Sequence, residues 1–250
     1  MHPMAQRIFN KVPEVTLLFW IVKIMATTVG ETAADFLSVD LHFGLTGTSL
    51  FLGSLLLIVL FLQIRSSIYR AWLYWLTVVL ISVVGTLITD NLVDNFGLSL
   101  VSSTTIFGIA LIATFISWYS VEKTLSIHAI TTIRREVFYW FAILFTFALG
   151  TAAGDLVSEG FHLGYFNAAL IYAGLIGAVL TAHHVFKASP VWTFWLAYIL
   201  TRPFGASCGD LLSQPPANSG LGLGTVGTSA VFFMIISLVV GYWTIAQRKK

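Results

Sequence analysis

One pattern recurs four times along the chain and restricts its fold more than any other feature. Phe19-Trp20, Tyr74-Trp75, Tyr139-Trp140 and Phe194-Trp195 are each followed, ten residues after the Trp, by a glycine: Gly30, Gly85, Gly150 and Gly205. Five residues after each glycine comes an aspartate: Asp35, Asp90, Asp155 and Asp210. The pattern Phe/Tyr-Trp-x9-Gly-x4-Asp repeats at offsets of 55, 65 and 55 residues without an internal gap. Self-similarity at such periods means that one supersecondary unit is used four times.

The solvent of these units follows from composition. The chain is 57% hydrophobic and 10% charged, against roughly 25% charged in an ordinary soluble domain. It cannot cover a core of this size with polar surface. Spanning a bilayer takes about 20 mostly apolar residues per helix, and the chain holds eight such runs. Helices are expected at 14–38, 45–65, 70–92, 100–121, 134–158, 165–186, 190–213 and 225–246. Paired, they give units at 14–65, 70–121, 134–186 and 190–246, one membrane domain over 1–250 with no room for a soluble one. Each unit has two helices, so all four run the same way, unlike the inverted repeats of many transporters. The longer basic loop at 122–135 suggests two halves of two units.

Loop charge gives an orientation. Arg7, Lys11, Arg65, Arg70, Lys123, Arg134, Arg135, Lys187, Arg248, Lys249 and Lys250 all fall on one side. The four loops of the other side carry no Lys or Arg, and carry Asp40, His42, Asp94, Glu159 and His162 instead. Basic loops stay cytoplasmic, so both termini are expected there. Residues 1–13 are short and polar and do not read as a cleavable leader.

Residues four apart share a helix face. Counted from seven residues after each Trp, the faces read Thr27, Glu31, Asp35; Ser82, Thr86, Asp90, Asp94; Phe147, Thr151, Asp155, Glu159; and Arg202, Ala206, Asp210, Gln214. Each aspartate therefore closes a polar stripe, which Lys23 extends by one turn in the first unit. An ionisable residue at the centre of a lipid-exposed helix costs about 2.5–3.5 kcal/mol, so the stripes are expected to face inward and to bring four carboxylates toward one axis. Carboxylates that close need a proton or a cation among them. Hard oxygen donors suit Mn2+, Mg2+ or Ca2+. The expected ligands are Asp35, Asp90, Asp155, Asp210 and Glu31. Thr27, Thr86, Asn91, Thr151 and Ser207 are the supporting polar groups, and Lys23 and Arg202 have a gating or counter-ion role. The plainer reading is that an aspartate near a helix end sits in water or caps the next turn.

Gly30, Gly85, Gly150 and Gly205 are expected to let helices approach closely, and the four Trp to anchor the cytoplasmic interface. Pro203 should kink its helix. His183-His184 read as surface residues, His42 and His162 as loop residues, and the single Cys208 as a packing residue that excludes an internal disulfide. No catalytic motif is present, so an enzyme is not expected.

Lys-Val-Pro-Glu-Val-Thr at 11–16, Gly-Glu-Thr-x-x-Asp at 30–35, Gly-Thr-Ala-Ala-Gly-Asp-Leu at 150–156 and Arg-Pro-x-Gly-Ala-Ser-x-Gly-Asp at 202–210 resemble a bacterial family described as uncharacterised membrane-anchored proteins. The resemblance covers nearly the whole chain. It implies an inner-membrane location and no established activity.

The residues themselves point to a transporter of a small divalent cation, Mn2+ before Mg2+ or Ca2+, exporting it in exchange for protons. No permanently bound cofactor and no nucleic-acid partner is expected; the partners are the bilayer and the cation, and a homo-oligomer is left open. The rival readings are a non-transporting scaffold or partner subunit, and a carrier of a small organic substrate.

Overall fold

The computed structural model describes residues 10–248. Arg7, Lys249 and Lys250 of the basic set lie outside the described residues. Eight long helices account for most of the chain: α1 Leu17–Asp35, α2 Gly44–Arg65, α3 Ala71–Asp90, α4 Leu100–Glu122, α5 Ile133–Asp155, α6 Gly164–His184, α7 Pro190–Ser213 and α8 Thr225–Arg248. Their starts are set by local chemistry. Thr16, Ser99 and Thr132 accept hydrogen bonds from the backbone N–H groups of Phe19, Ser102 and Arg135, the usual way an orphan donor of the first turn is satisfied. Pro190 opens α7, where its missing N–H costs nothing.

Seven of these helices are long and apolar enough to cross a membrane. The exception is α7, whose 24 residues include Arg202, Pro203 and a run of small polar residues. By length α7 also reaches across, at about 1.5 Å per residue. Polarity is distributed inside out. The outer helices expose Leu50, Phe51, Ile109, Phe166, Met234 and Leu238, while Lys23, Glu31, Thr86, Thr151 and Arg202 are buried. The chain is an all-α, multi-pass membrane protein built from repeats.

The units close into a ring. The first helices of the units, α1, α3, α5 and α7, each pack on both neighbours, with α7 returning to α1. The second helix of each unit then packs on the first helix of the next: α2 on α3, α4 on α5, α6 on α7, and α8 back on α1. The joint between units two and three uses the same contacts despite its longer linker.

The repeated motif is the joint. The Phe or Tyr of each pair meets the Trp of the following unit: Phe19–Trp75 at 5.6 Å, Tyr74–Trp140 at 5.5 Å, Tyr139–Trp195 at 6.2 Å and Phe194–Trp20 at 5.6 Å between ring centroids. Trp75, Trp140 and Trp195 are 1%, 3% and 2% exposed. They are therefore not interfacial anchors. They build an aromatic belt inside the ring, where large flat side chains gain more from packing than from a wet edge.

One layer further along, each motif glycine faces the residue seven after the Trp of the next unit. A Cβ at Gly30, Gly85, Gly150 or Gly205 would lie 2.5, 2.9, 2.6 or 2.9 Å from the Cβ of Ser82, Phe147, Arg202 or Thr27. No side chain fits there. This is the small-residue contact that lets membrane helices approach. Pro203 belongs to the same contact: α7 continues through it, and its ring lies against Gly150 and Gly154 of α5.

Candidate functional site

Three of the four motif aspartates stand at a change of helix type. After Asp35, Asp90 and Asp155 the backbone passes into one turn of π-helix, Phe36–Asp40, Asn91–Asn95 and Leu156–Gly160. The i to i−5 bonds are Leu41 N–H to Phe36 O, Phe96 N–H to Asn91 O and Phe161 N–H to Leu156 O. Such turns recur at functional sites of helical proteins. His42 and His162 follow in left-handed backbone and are exposed. The fourth unit departs: Pro215-Pro216 stop the helix, and Gln214 N–H keeps the ordinary bond to Asp210 O.

The layer eleven residues after each Trp contains Glu31, Thr86, Thr151 and Ala206. Unit four has an alanine where the others offer oxygen. Arg202, one turn below, fills that place from its own helix. Its Nη2 lies 2.9 Å from Glu31 Oε2 and 2.7 Å from Thr151 Oγ1 and also contacts Thr86 Oγ1, its two N–H groups shared among the three oxygens. One nitrogen thus meets one oxygen from each of the other three units. The guanidinium is fully buried, and among the described residues its Nε and Nη1 have no hydrogen-bond partner.

Above this layer, one carboxylate oxygen from each of Glu31, Asp155 and Asp210 lies within 4.8 Å of the other two. Oxygens that share one divalent ion at about 2.0–2.6 Å are separated by no more than about 5 Å, so the trio has the spacing and the hardness for such an ion. Glu31 belongs to both layers. Asp35 and Asp90, expected beside them, are not members of this trio. Asp35 accepts from Gln214 Nε2 at 3.3 Å; both are half-buried.

The remaining expected residues have other employment. Among the described residues Lys23 has no carboxylate within ion-pair distance, and its ammonium is held by other groups. Its ammonium donates to Tyr198 O at 2.8 Å and Thr201 Oγ1 at 2.5 Å, 4.4 Å from the Tyr198 ring centroid. Asn91 turns to α2, donating to Ser49 Oγ at 2.8 Å and to Leu87 O at 2.7 Å. Thr27 donates to Ile24 O at 2.6 Å and packs on Gly205. Ser207 Oγ is buried without a partner, and Cys208 is half-buried.

Below Arg202 the ring axis is filled. Phe147, Lys23, Tyr198 and the hydroxyl pair of Tyr74 and Tyr139, 2.5 Å apart, are all buried. One cluster at the basic end carries no signal in the sequence. Lys11 Nζ bonds Glu136 Oε2 at 2.6 Å and Ile64 O at 2.9 Å, and Gln63 Nε2 donates to Glu136 Oε1 at 3.1 Å. Glu136 follows a helix start and reads as a solvated first-turn acid; only the tertiary fold shows that it is buried. His183 is also engaged, with Nδ1 3.1 Å from Thr193 Oγ1, beside an apolar groove between α1, α6 and α7.

A family model described as Repeat of Unknown Function (DUF347) matches residues 18–69, 73–124, 138–189 and 193–249. No curated protein matches the chain, and no solved structure does.

Proposed function

The chain belongs to the family of the Repeat of Unknown Function (DUF347), which passes on no activity, and we propose from the geometry that this member carries a small cation across the membrane. The favoured cargo is a divalent metal, Mn2+ before Mg2+ or Ca2+, exchanged for protons. The observation that carries this reading is the convergence of Glu31, Asp155 and Asp210 from three different units, with oxygens within 4.8 Å. Three oxygen donors brought together inside a membrane protein are costly to keep without an ion to bind. Asp35 and Asp90, half-buried on the acidic side, supply a path of further carboxylates. Thr86 and Thr151 supply hydroxyls below.

A carrier fits better than an open channel, because the axis below the trio is packed with Arg202, Phe147 and the tyrosine pair. In this reading the basic loops put that closed end on the cytoplasmic side of a bacterial inner membrane. Export of a cation then works against the membrane potential, at about 2.3 kcal/mol per charge per 100 mV, which is why proton exchange is part of the proposal. The scaffold reading draws on one observation, the Arg202–Glu31 pair at 2.9 Å, which gives Glu31 a partner without any ion.

One experiment separates them. Purified protein in liposomes is tested for Mn2+ flux under a proton gradient, beside Asp155→Asn. Flux in the wild type that falls at least tenfold in Asp155→Asn is expected. Absence of flux for Mn2+, Mg2+ and Ca2+ alike rejects the transporter.

A further inference from the structure

Arg202 breaks the fourfold pattern at its centre. Three units place an oxygen eleven residues after the Trp; the fourth places Ala206 there and sends a cationic side chain up from Arg202. A single nitrogen is held by Glu31, Thr86 and Thr151, as an ion would be held by a cage with one ligand from each neighbour. Two of the three separations, 2.7 and 2.9 Å, exceed the metal–oxygen range of about 2.0–2.6 Å, while the contact to Thr86 Oγ1 does not. Glu31 is the one carboxylate shared between the cage and the trio above. A carboxylate that gives its charge to Arg202 has less to give to a metal, because opposite charges inside a membrane protein are only weakly screened.

We propose that Arg202 is a tethered competitor for the carboxylate site, holding Glu31 when no cation is bound and losing it when one is. This rests on the cation-carrier reading and adds to it a mechanism of release: the return of Arg202 to Glu31 expels the cargo. It also accounts for the unequal units, since one tethered cation serves a ring of four.

The test uses detergent-purified full-length protein. Mn2+ binding is measured by calorimetry for wild type and Arg202→Gln. Binding at least tenfold tighter in the variant is expected, together with slower Mn2+ release in liposomes. Equal or weaker binding overturns the competitor and leaves the carrier standing. A second arm needs no metal. Arg202→Gly opens the cage, and guanidinium chloride at a few millimolar is expected to raise its melting temperature relative to equal NaCl, with no such effect on wild type. A guanidinium effect without Mn2+ binding in either protein removes the carrier reading and keeps Arg202 as the occupant of a cation cage. No guanidinium effect overturns the cage. Should single variants fail to accumulate, Glu31→Gln/Arg202→Gln is compared with Arg202→Gln for yield. The double is expected to recover, because Glu31 no longer lacks its partner; no recovery overturns the pairing.

Discussion

Replacing Gly150 with alanine tests the ring more sharply than any charge removal. The added Cβ would lie 2.6 Å from Arg202 Cβ and 3.0 Å from Pro203 Cδ, and would overlap Arg202 Cγ. Carbon atoms in contact prefer about 3.5–4.0 Å, so α5 and α7 must separate by about 1 Å or Arg202 must move. Neither is easy: the atoms struck are the stem of Arg202, whose head is fixed by Glu31, Thr86 and Thr151, and a proline ring. Overpacking of this kind costs about 1–3 kcal/mol, against a gain of up to about 1 kcal/mol in helix propensity. A net loss of about 1–2 kcal/mol is expected. At about 2–4 °C per kcal/mol for a chain of this size, melting in detergent should fall by about 2–8 °C. Gly108→Ala in α4 is the control, because a Cβ there meets nothing within 4 Å; the same substitution should leave melting unchanged or raise it. If Gly150→Ala melts at or above the wild type while Gly108→Ala behaves as expected, the close contact between units is not what holds the ring.

Two further predictions follow from the buried charges. Lys11→Met leaves Glu136, 1% exposed, without its partner and should cost about 3–5 kcal/mol, whereas Lys11→Met/Glu136→Met should recover most of that in the same melting assay; an additive loss would show the pair is not coupled. Lys23→Met keeps the side-chain length and removes a charge that faces no carboxylate, so its melting temperature should stay or rise; a fall by several degrees would mean that the bonds to Tyr198 O and Thr201 Oγ1 outweigh the cost of burying the ammonium.

The ring was largely written in the spacing of Trp, Gly and Asp, because a contact made four times leaves four copies of its requirements. The glycines could be read as packing positions because close approach accounts for a missing side chain at each recurrence, and the contacts at Ser82, Phe147, Arg202 and Thr27 bear that out over a helix break. Three of the four Trp positions misled: their preference for bilayer interfaces is a statistical tendency, and which unit neighbours which is needed to see that Phe19 covers Trp75 and Tyr74 covers Trp140. Arg202 was visible as an exception in the aligned stripes, but its reach to Glu31, 171 residues earlier, depends on ring closure. The π-helical turns after Asp35, Asp90 and Asp155 carry no periodic signal, because one extra residue per turn looks like a loop in sequence. Asn91 lies one residue, about 100°, round the helix from Asp90, which is why it faces Ser49 and not the carboxylates.

The handing of each second helix to the following unit has a consequence for how the protein is made. As the chain emerges, α2 finds α3, α4 finds α5 and α6 finds α7, each dock following its partner's synthesis by a single helix. The first helix is different. It enters the bilayer carrying Lys23 and Glu31, and its flanking wall α8, its guanidinium partner and the acceptors Tyr198 O and Thr201 Oγ1 all belong to the fourth unit. Charges on a lone helix in lipid are expensive, so a nascent chain that stalls before α7 exposes an unfinished, charged helix to the insertion machinery. Docking of the fourth unit relieves the electrostatic and the apolar defect together, so the unit that closes the ring is also the one that shelters the charges of the first helix.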